Sequence, residues 1–404
     1  MKIRRILDTF AFLVVLAACG AGAQQASNNL VISSDPELVE LASALLPDLA
    51  EHSGLELRGP VRLETRSRQQ LIDYLEIKLE EELPADEAKA RVDAYSLLGL
   101  VPVDLDLRAA LMSLYTEQVA GFYDPDSTAL FVMDDQPEEV LEGLLVHELI
   151  HAIQDQHTDL DSITDQKLGN DRVIAAQAAI EGQATLVMLE FMTKQTTGVA
   201  VDLSQVSDFA SQIRPLLEET RSQFPVLASS PRVIRESLLF PYLEGVSFVQ
   251  SLWLQAGRVA PFGERLPIST EQVLSKNMAE EPVELEVEVH GAQVVKEDVL
   301  GQLVVGVMMD EHLGADTESL VEGWEGDRYV LIQNARNERG LIWFGLWKDT
   351  ASRDRFANAM EPALADLPKL AELARLEVAG RPATELRVGP VDGVTATVRF
   401  VSNP

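Results

Sequence analysis

Residues 137–155, PEEVLEGLLVHELIHAIQD, decide the reading of this chain. Val140, Leu141, Leu144, Leu145, Leu149, Ile150 and Ile153 supply a broad apolar surface, as expected of a helix buried on most sides. Pro137 suits the first turn behind Asp134 and Asp135, and Glu138, Glu139 and Glu142 put negative charge where a helix N-terminus favours it. Inside this helix stands His147-Glu148-Leu149-Ile150-His151. Histidines four apart lie about 40° from each other around a helix of 3.6 residues per turn, so both imidazoles can reach one metal ion. Glu148 lies about 100° from His147, close enough to act on a water held there without entering the ligand set. Buried imidazoles and a buried carboxylate need partners, and a zinc ion (Zn2+) supplies them. The chain has six histidines, and three of them (His147, His151, His157) cluster here.

A tetrahedral catalytic zinc takes three protein ligands and keeps one position open. Two residues compete for the third place. His157 has the spacing of the longer metzincin pattern His-Glu-x-x-His-x-x-Gly-x-x-His, in which a glycine ends the helix and returns the last histidine to the metal. Gln154 occupies that glycine position, so the helix is expected to run on through Asp155 and turn His157 about 120° away from His151. Glu181 lies on a second predicted helix, roughly Asp171 to Met192. Its stretch 177–185, QAAIEGQAT, is rich in the small residues that let two helices approach closely. A lone glutamate among alanines and aliphatics needs a partner. The expected ligands are His147, His151 and Glu181.

Residues 147–155, HELIHAIQD, resemble the gluzincins, the thermolysin-like class of zinc metallopeptidases, with Asp155 in the matching aspartate position. That class carries Glu-x-x-x-Asp on its second helix. Here Thr185 follows Glu181 at the fourth position, so the carboxylate that orients a zinc histidine is not carried over. A narrower resemblance spans most of the chain beyond its leader, to a group of little-characterised bacterial and archaeal lipoproteins with a gluzincin-like core. Its blocks are residues 121–125 (GFYDP), 147–160, 181–185 (EGQAT), 269–274 (STEQVL) and 323–328 (GWEGDR). In that group the fourth block usually continues with His-Pro, whereas Ser275 and Lys276 follow here.

The resemblance implies a peptidase in which Glu148 takes a proton from the attacking water while the metal polarises the scissile carbonyl. The developing oxyanion also needs a donor from outside the zinc helices. Tyr242 is the first candidate, because residues 241–249, PYLEGVSFV, resemble the Tyr-x-x-Gly-x-x-Phe run of gluzincin relatives; an ordinary core helix has the same spacing. Tyr123 and His290 stand in reserve. Residues 121–132, GFYDPDSTALFV, read as strand, turn and strand leading into the zinc helix. In gluzincins such an edge strand binds an extended chain by strand addition, which implies a peptide or unfolded protein as substrate.

At the N-terminus Lys2, Arg4 and Arg5 precede an apolar run from Phe10 to Leu16 that is too short to span a bilayer, and then Leu16-Ala17-Ala18-Cys19. That tetrad resembles the bacterial lipobox. It implies removal of residues 1–18, lipidation of Cys19 and a membrane-anchored protein of the bacterial cell envelope. The rival is cleavage after Ala23 and a released protein. Cys19 is the only cysteine, so no disulfide forms within the chain. Residues 19–34 read as a flexible tether, being mostly Gly, Ala, Gln, Ser and Asn up to Asn29. The formal net charge is −32, a surface that repels nucleic acid and anionic membrane.

The length exceeds one ordinary core. Residues 35–116 read as mainly helical with one strand near Val61–Thr65, residues 117–262 as the catalytic unit, and residues 263–404 as a C-terminal α+β unit. In the last, Val283 to Val289 alternates strictly, and Gln302–Met308, Arg328–Gln333 and Leu341–Trp347 are predicted strands of an antiparallel sheet, with a helix near Ser352–Asp366. Ser269 to Gln272 has the form of a capping box, and Asp327 with Arg328 is expected to form a buried ion pair at a turn. The fold class is therefore α+β, with a helical gluzincin-like core and an edge-strand hairpin. Against a peptidase stands a lipid-anchored binding or assembly protein that keeps its zinc site as a structural element or remnant.

Overall fold

The computed structural model describes residues 30–206, 212, 214, 224–314 and 317–401; the expected leader, Cys19 and most of the tether lie outside the described residues. The tether set at 19–34 gives way to ordered chain at its far end, where β1 (Val31–Ile32) pairs in parallel with β2 (Val61–Arg66). Parallel neighbours need a crossover, and α1 (Pro36–Ser53) provides it. Asp35 caps α1 by accepting from the Glu37 and Leu38 amides, and Gly54 ends it at φ 71°.

Three helices, α2 (Arg68–Glu82), α3 (Ala85–Leu97) and α4 (Leu107–Gln118), lead to the hairpin of β3 (Gly121–Asp124) and β4 (Ala129–Met133). β4 pairs in parallel with β2, giving the order β1-β2-β4-β3. The hairpin's first strand thus lies at a sheet edge. Asp124 folds the turn by accepting from the amide and hydroxyl of Ser127.

The helical layer follows: α5 (Glu138–Asp155), α6 (Leu160–Ile163), α7 (Asn170–Thr197), α8 (Pro225–Ser229), α9 (Arg232–Ala256) and α10 (Thr270–Ser275). α7 and α9 cross backbone against backbone. A Cβ on Gly182 would overlap the Gly245 carbonyl, and one on Gly245 would overlap the Ala178 carbonyl. Pro241 sits inside α9, where it denies the Ser237 carbonyl its helical donor. Burial of its neighbours Leu239, Phe240, Tyr242 and Leu243 carries the helix through the defect.

The C-terminal part is β5 (Leu285–His290), β6 (Gln293–Asp298), α11 (Gly301–Leu313), α12 (Glu318–Val321), β7 (Trp324–Gln333), β8 (Arg339–Trp347), α13 (Thr350–Ala363), β9 (Ala371–Val378), β10 (Arg381–Val388) and β11 (Thr395–Phe400). Five strands form an antiparallel sheet, β6-β7-β8-β10-β9, and β5 pairs with β11 as a separate ribbon. The fold is α+β. The expected strand at Gln302–Met308 is instead the body of α11. Val304, Val305, Val307, Met308 and Met309 are all buried, and a short run apolar on every side carries neither the strand nor the helix period. Asp327 and Arg328 are not an ion pair either. Neighbours on a strand face opposite ways, so Asp327 accepts from the amides of Leu300 and Gly301 and from the Trp324 indole, while Arg328 donates to the Leu285 carbonyl.

Two large apolar cores hold these parts together. One joins α1, the four-stranded sheet, α5, α7 and α9; Leu145, Val146, Leu149 and Ile150 are fully buried in it. The other joins α2–α4 to α9, α11, α13 and one face of the five-stranded sheet through Trp324, Trp343 and Trp347. A third, smaller cluster lies between that sheet's other face and the β5–β11 ribbon.

Candidate metal centre

α5 enters the first core between the hairpin and α7, which places His147 and His151 on the side facing α7. The Gly182–Gly245 crossing sets the backbone beside Glu181 at close range. The Glu181 carboxylate oxygen Oε2 is 3.1 Å from His147 Nε2 and 3.5 Å from His151 Nε2, and the two Nε2 atoms are 3.0 Å apart. One ligand atom from each of the three residues lies within 4.8 Å of the others, so the group could hold a metal ion. All three side chains are buried.

The electrostatics follow from that closeness. Burial pushes Glu181 up, but the charge of His151 and hydrogen bonds from both histidines outweigh it and bring the carboxyl down to about 2. Burial alone would lower His151; the charge and hydrogen bond of Glu181 raise it to about 9. The pocket therefore favours positive charge between the three groups, which is the requirement of a divalent cation. Two imidazole nitrogens and one carboxylate are also a donor set suited to zinc.

Glu148 stays out of that set. Its Oε2 accepts from the Tyr123 amide at 2.9 Å, while Oε1, equally buried, has no hydrogen-bond partner among the described residues. Burial raises its pKa, and the charge of Glu181 adds to the effect. The edge strand β3 thus spends one outward amide on orienting this carboxylate.

Sequence reasoning missed what holds His151. Its Nδ1 lies 2.8 Å from Gln154 Oε1, and the Gln154 amide donates to the Ile180 carbonyl and to Gln183 Oε1, each at 3.0 Å. Gln183 then donates to the Ser53 carbonyl of α1. With Nδ1 carrying the proton, Nε2 turns its lone pair towards His147 and Glu181. A hint was legible, since Gln154 stands three positions after His151 on one helix face. Gln183 left no such signal. Thr185, in place of the carboxylate, is buried with its hydroxyl unpartnered among the described residues.

His157 lies away from the cluster, with Nε2 2.7 Å from the Glu56 carbonyl. Tyr242 is brought close: its ring centroid is 6.3 Å from that of His147, and the side chain is 4% exposed. The Tyr123 hydroxyl points elsewhere and donates to Asp155 at 2.8 Å. His290 sits exposed on the β5–β11 ribbon beside Glu288. Ser269 caps α10 through the Gln272 amide, while the Gln272 side chain reaches the Ile268 amide instead of closing the box.

One family model matches the chain, over residues 288–401, and its description is a domain of unknown function, DUF8575. The match runs from the end of β5 to the end of β11 and leaves the His147, His151 and Glu181 cluster outside. No curated protein and no solved structure matches the chain.

Proposed function

We propose that the protein is a zinc-dependent metallopeptidase of the gluzincin type, anchored in a bacterial cell envelope through lipidated Cys19. The observation that carries this reading is the convergence of His147, His151 and Glu181 with a fourth buried group, Glu148, whose second oxygen is left without a partner beside them. A purely structural metal site has no use for that costly arrangement.

His147, His151 and Glu181 would hold the ion, and the bound ion would supply Lewis-acid polarisation of a carbonyl and a lowered water pKa. Glu148, fixed by the Tyr123 amide, would accept the proton of the attacking water and pass it to the leaving amine. Tyr242 would face the developing oxyanion. An extended peptide would lie along the edge strand β3, as it does in gluzincins. Among the described residues no helix is long and apolar enough to cross a membrane, so attachment in this reading depends on the N-terminal lipid.

A structural or remnant site in a binding or assembly lipoprotein is favoured by one observation: none of the four residues is more than 3% exposed. Glu148→Gln separates the two readings. In a peptidase the variant keeps its zinc and loses cleavage of casein or a peptide library; zinc-loaded wild type that cleaves neither would leave the structural reading standing.

A further inference from the structure

A cavity of ≈ 140 Å³ starts at Glu181 and Tyr242 and runs along α7 away from the metal cluster. Glu181, Gln177, Ile174, Val173 and Asn170 share one face of α7 and all line it. From Glu181 to Asn170 that face extends about 16 Å at 1.5 Å per residue. The opposite walls come from α2, α3, α4 and α9, with aliphatic side chains such as Leu83, Leu111, Val233 and Leu238. Among the described residues no strand lines the space, so it offers an extended peptide no backbone ladder to add to. At about 10–15 Å³ per lodged water, the volume suits about ten atoms in file. The cavity thus fits an unbranched hydrocarbon chain.

Its far end is charged. Arg91 is the one cation in the wall among the described residues. The carboxylate nearest its guanidinium is Glu87 at 3.8 Å, while Asp298, whose charge also acts on Arg91, is held by the amides of Asn170 and Val299 and by Lys296. Asp298 binds the Asn170 amide, so Arg91 belongs to the Asn170 end, remote from Glu181. Of the two wall carboxylates, Glu181 belongs to the metal cluster and Glu82 ends α2. A planar guanidinium with five donors and one loose ion pair in the wall of a largely apolar cavity is suited to a carboxylate.

We infer that this cavity binds a medium-chain fatty carboxylate, its head on Arg91 and its tail running along α7 to Tyr242. The site does not depend on hydrolysis at the metal, so the two proposals fail separately. Occupation would put the tail's end beside Glu181 and Tyr242.

The test is binding of decanoate and of decanol to the full chain by isothermal titration calorimetry, with and without EDTA. Decanoate is expected to bind about tenfold more tightly than decanol, the value of one charge-assisted hydrogen-bonded contact. Arg91→Gln should abolish that preference and leave decanol unchanged. Ser237→Trp, which fills the cavity from α9, should weaken both ligands about tenfold or more; Leu105→Trp, on a half-exposed part of the wall, repeats the test if the first variant does not fold. EDTA should change none of these values. Failure of decanoate to saturate, insensitivity to the tryptophan variants, or a preference for decanoate that survives Arg91→Gln but disappears with EDTA, which would seat the head on the metal, each overturns the inference.

Discussion

His151 is oriented by Gln154 of its own helix, which Gln183 of α7 holds in turn. Gln154→Leu removes the acceptor at Nδ1 and leaves Gln183 and the Ile180 carbonyl short of a donor, so zinc affinity is expected to fall about 10–100-fold in competition with a fluorescent chelator. Thr185→Ala should leave that affinity unchanged. Metal analysis of Glu181→Ala and His157→Ala is expected to show loss of zinc in the first and a full complement in the second, because His157 is committed to Glu56 across the chain. The cluster was legible because His147 and His151 are set by helix pitch and Glu181 stood out as a charge among alanines. The glutamine relay was not, since Gln154 meets Gln183 only where α5 packs on α7.

The element that decides the site is the α7–α9 crossing. Small residues around Glu181 announced that some helix would come close; that the partner is α9 with Gly245 is visible only in the fold. Gly182→Ala and Gly245→Ala each force the backbones apart and should destabilise the protein by about 1–3 kcal/mol or more in denaturant titrations, with weakened zinc binding because Glu181 moves with its helix. Gly143→Ala on α5 is the control: a Cβ there meets its nearest neighbour at 4.0 Å, so stability should hold or rise by up to about 1 kcal/mol. The same limit explains α11. Its valines favour a strand intrinsically, and packing between α9, α13 and β7 overrides the preference.

Across the whole molecule the acidic balance is met by carboxyls shielded from water where α7 and α10 join the C-terminal sheet. Burial and the Asp298 charge raise Asp171 to about 6; burial and Asp171 raise Asp327 to about 7; burial with Glu280, Glu325 and Asp171 raises Glu271 to about 8. Each ionises at higher pH in the fold than in the unfolded chain. The stability they contribute is complete below their unfolded values near 4 and is lost as pH rises through 6 to 8. In chelator, the melting temperature is therefore expected to be higher at pH 5 than at pH 8.5. His151, raised to about 9, acts in the same direction, while Glu181, lowered to about 2, loses its contribution only at more acid pH. Asp327→Asn should flatten the slope whatever it does to stability at any one pH. Excess zinc should raise the melting temperature of wild type and not of Glu181→Ala, since only a site intact in the folded state links binding to stability.

By itself the sequence determined the helix that carries His147 and His151, the second helix that carries Glu181 and the α+β class, because these rest on periodicities of 3.6 and 2 that operate within a few neighbours. Only the tertiary structure decided that α9 brings Tyr242 beside His147, that Gln154 and Gln183 hold His151, and that Arg91 and Glu181 line one cavity. Those contacts join residues tens of positions apart, and their geometry comes from how the helices cross, which no local pattern encodes.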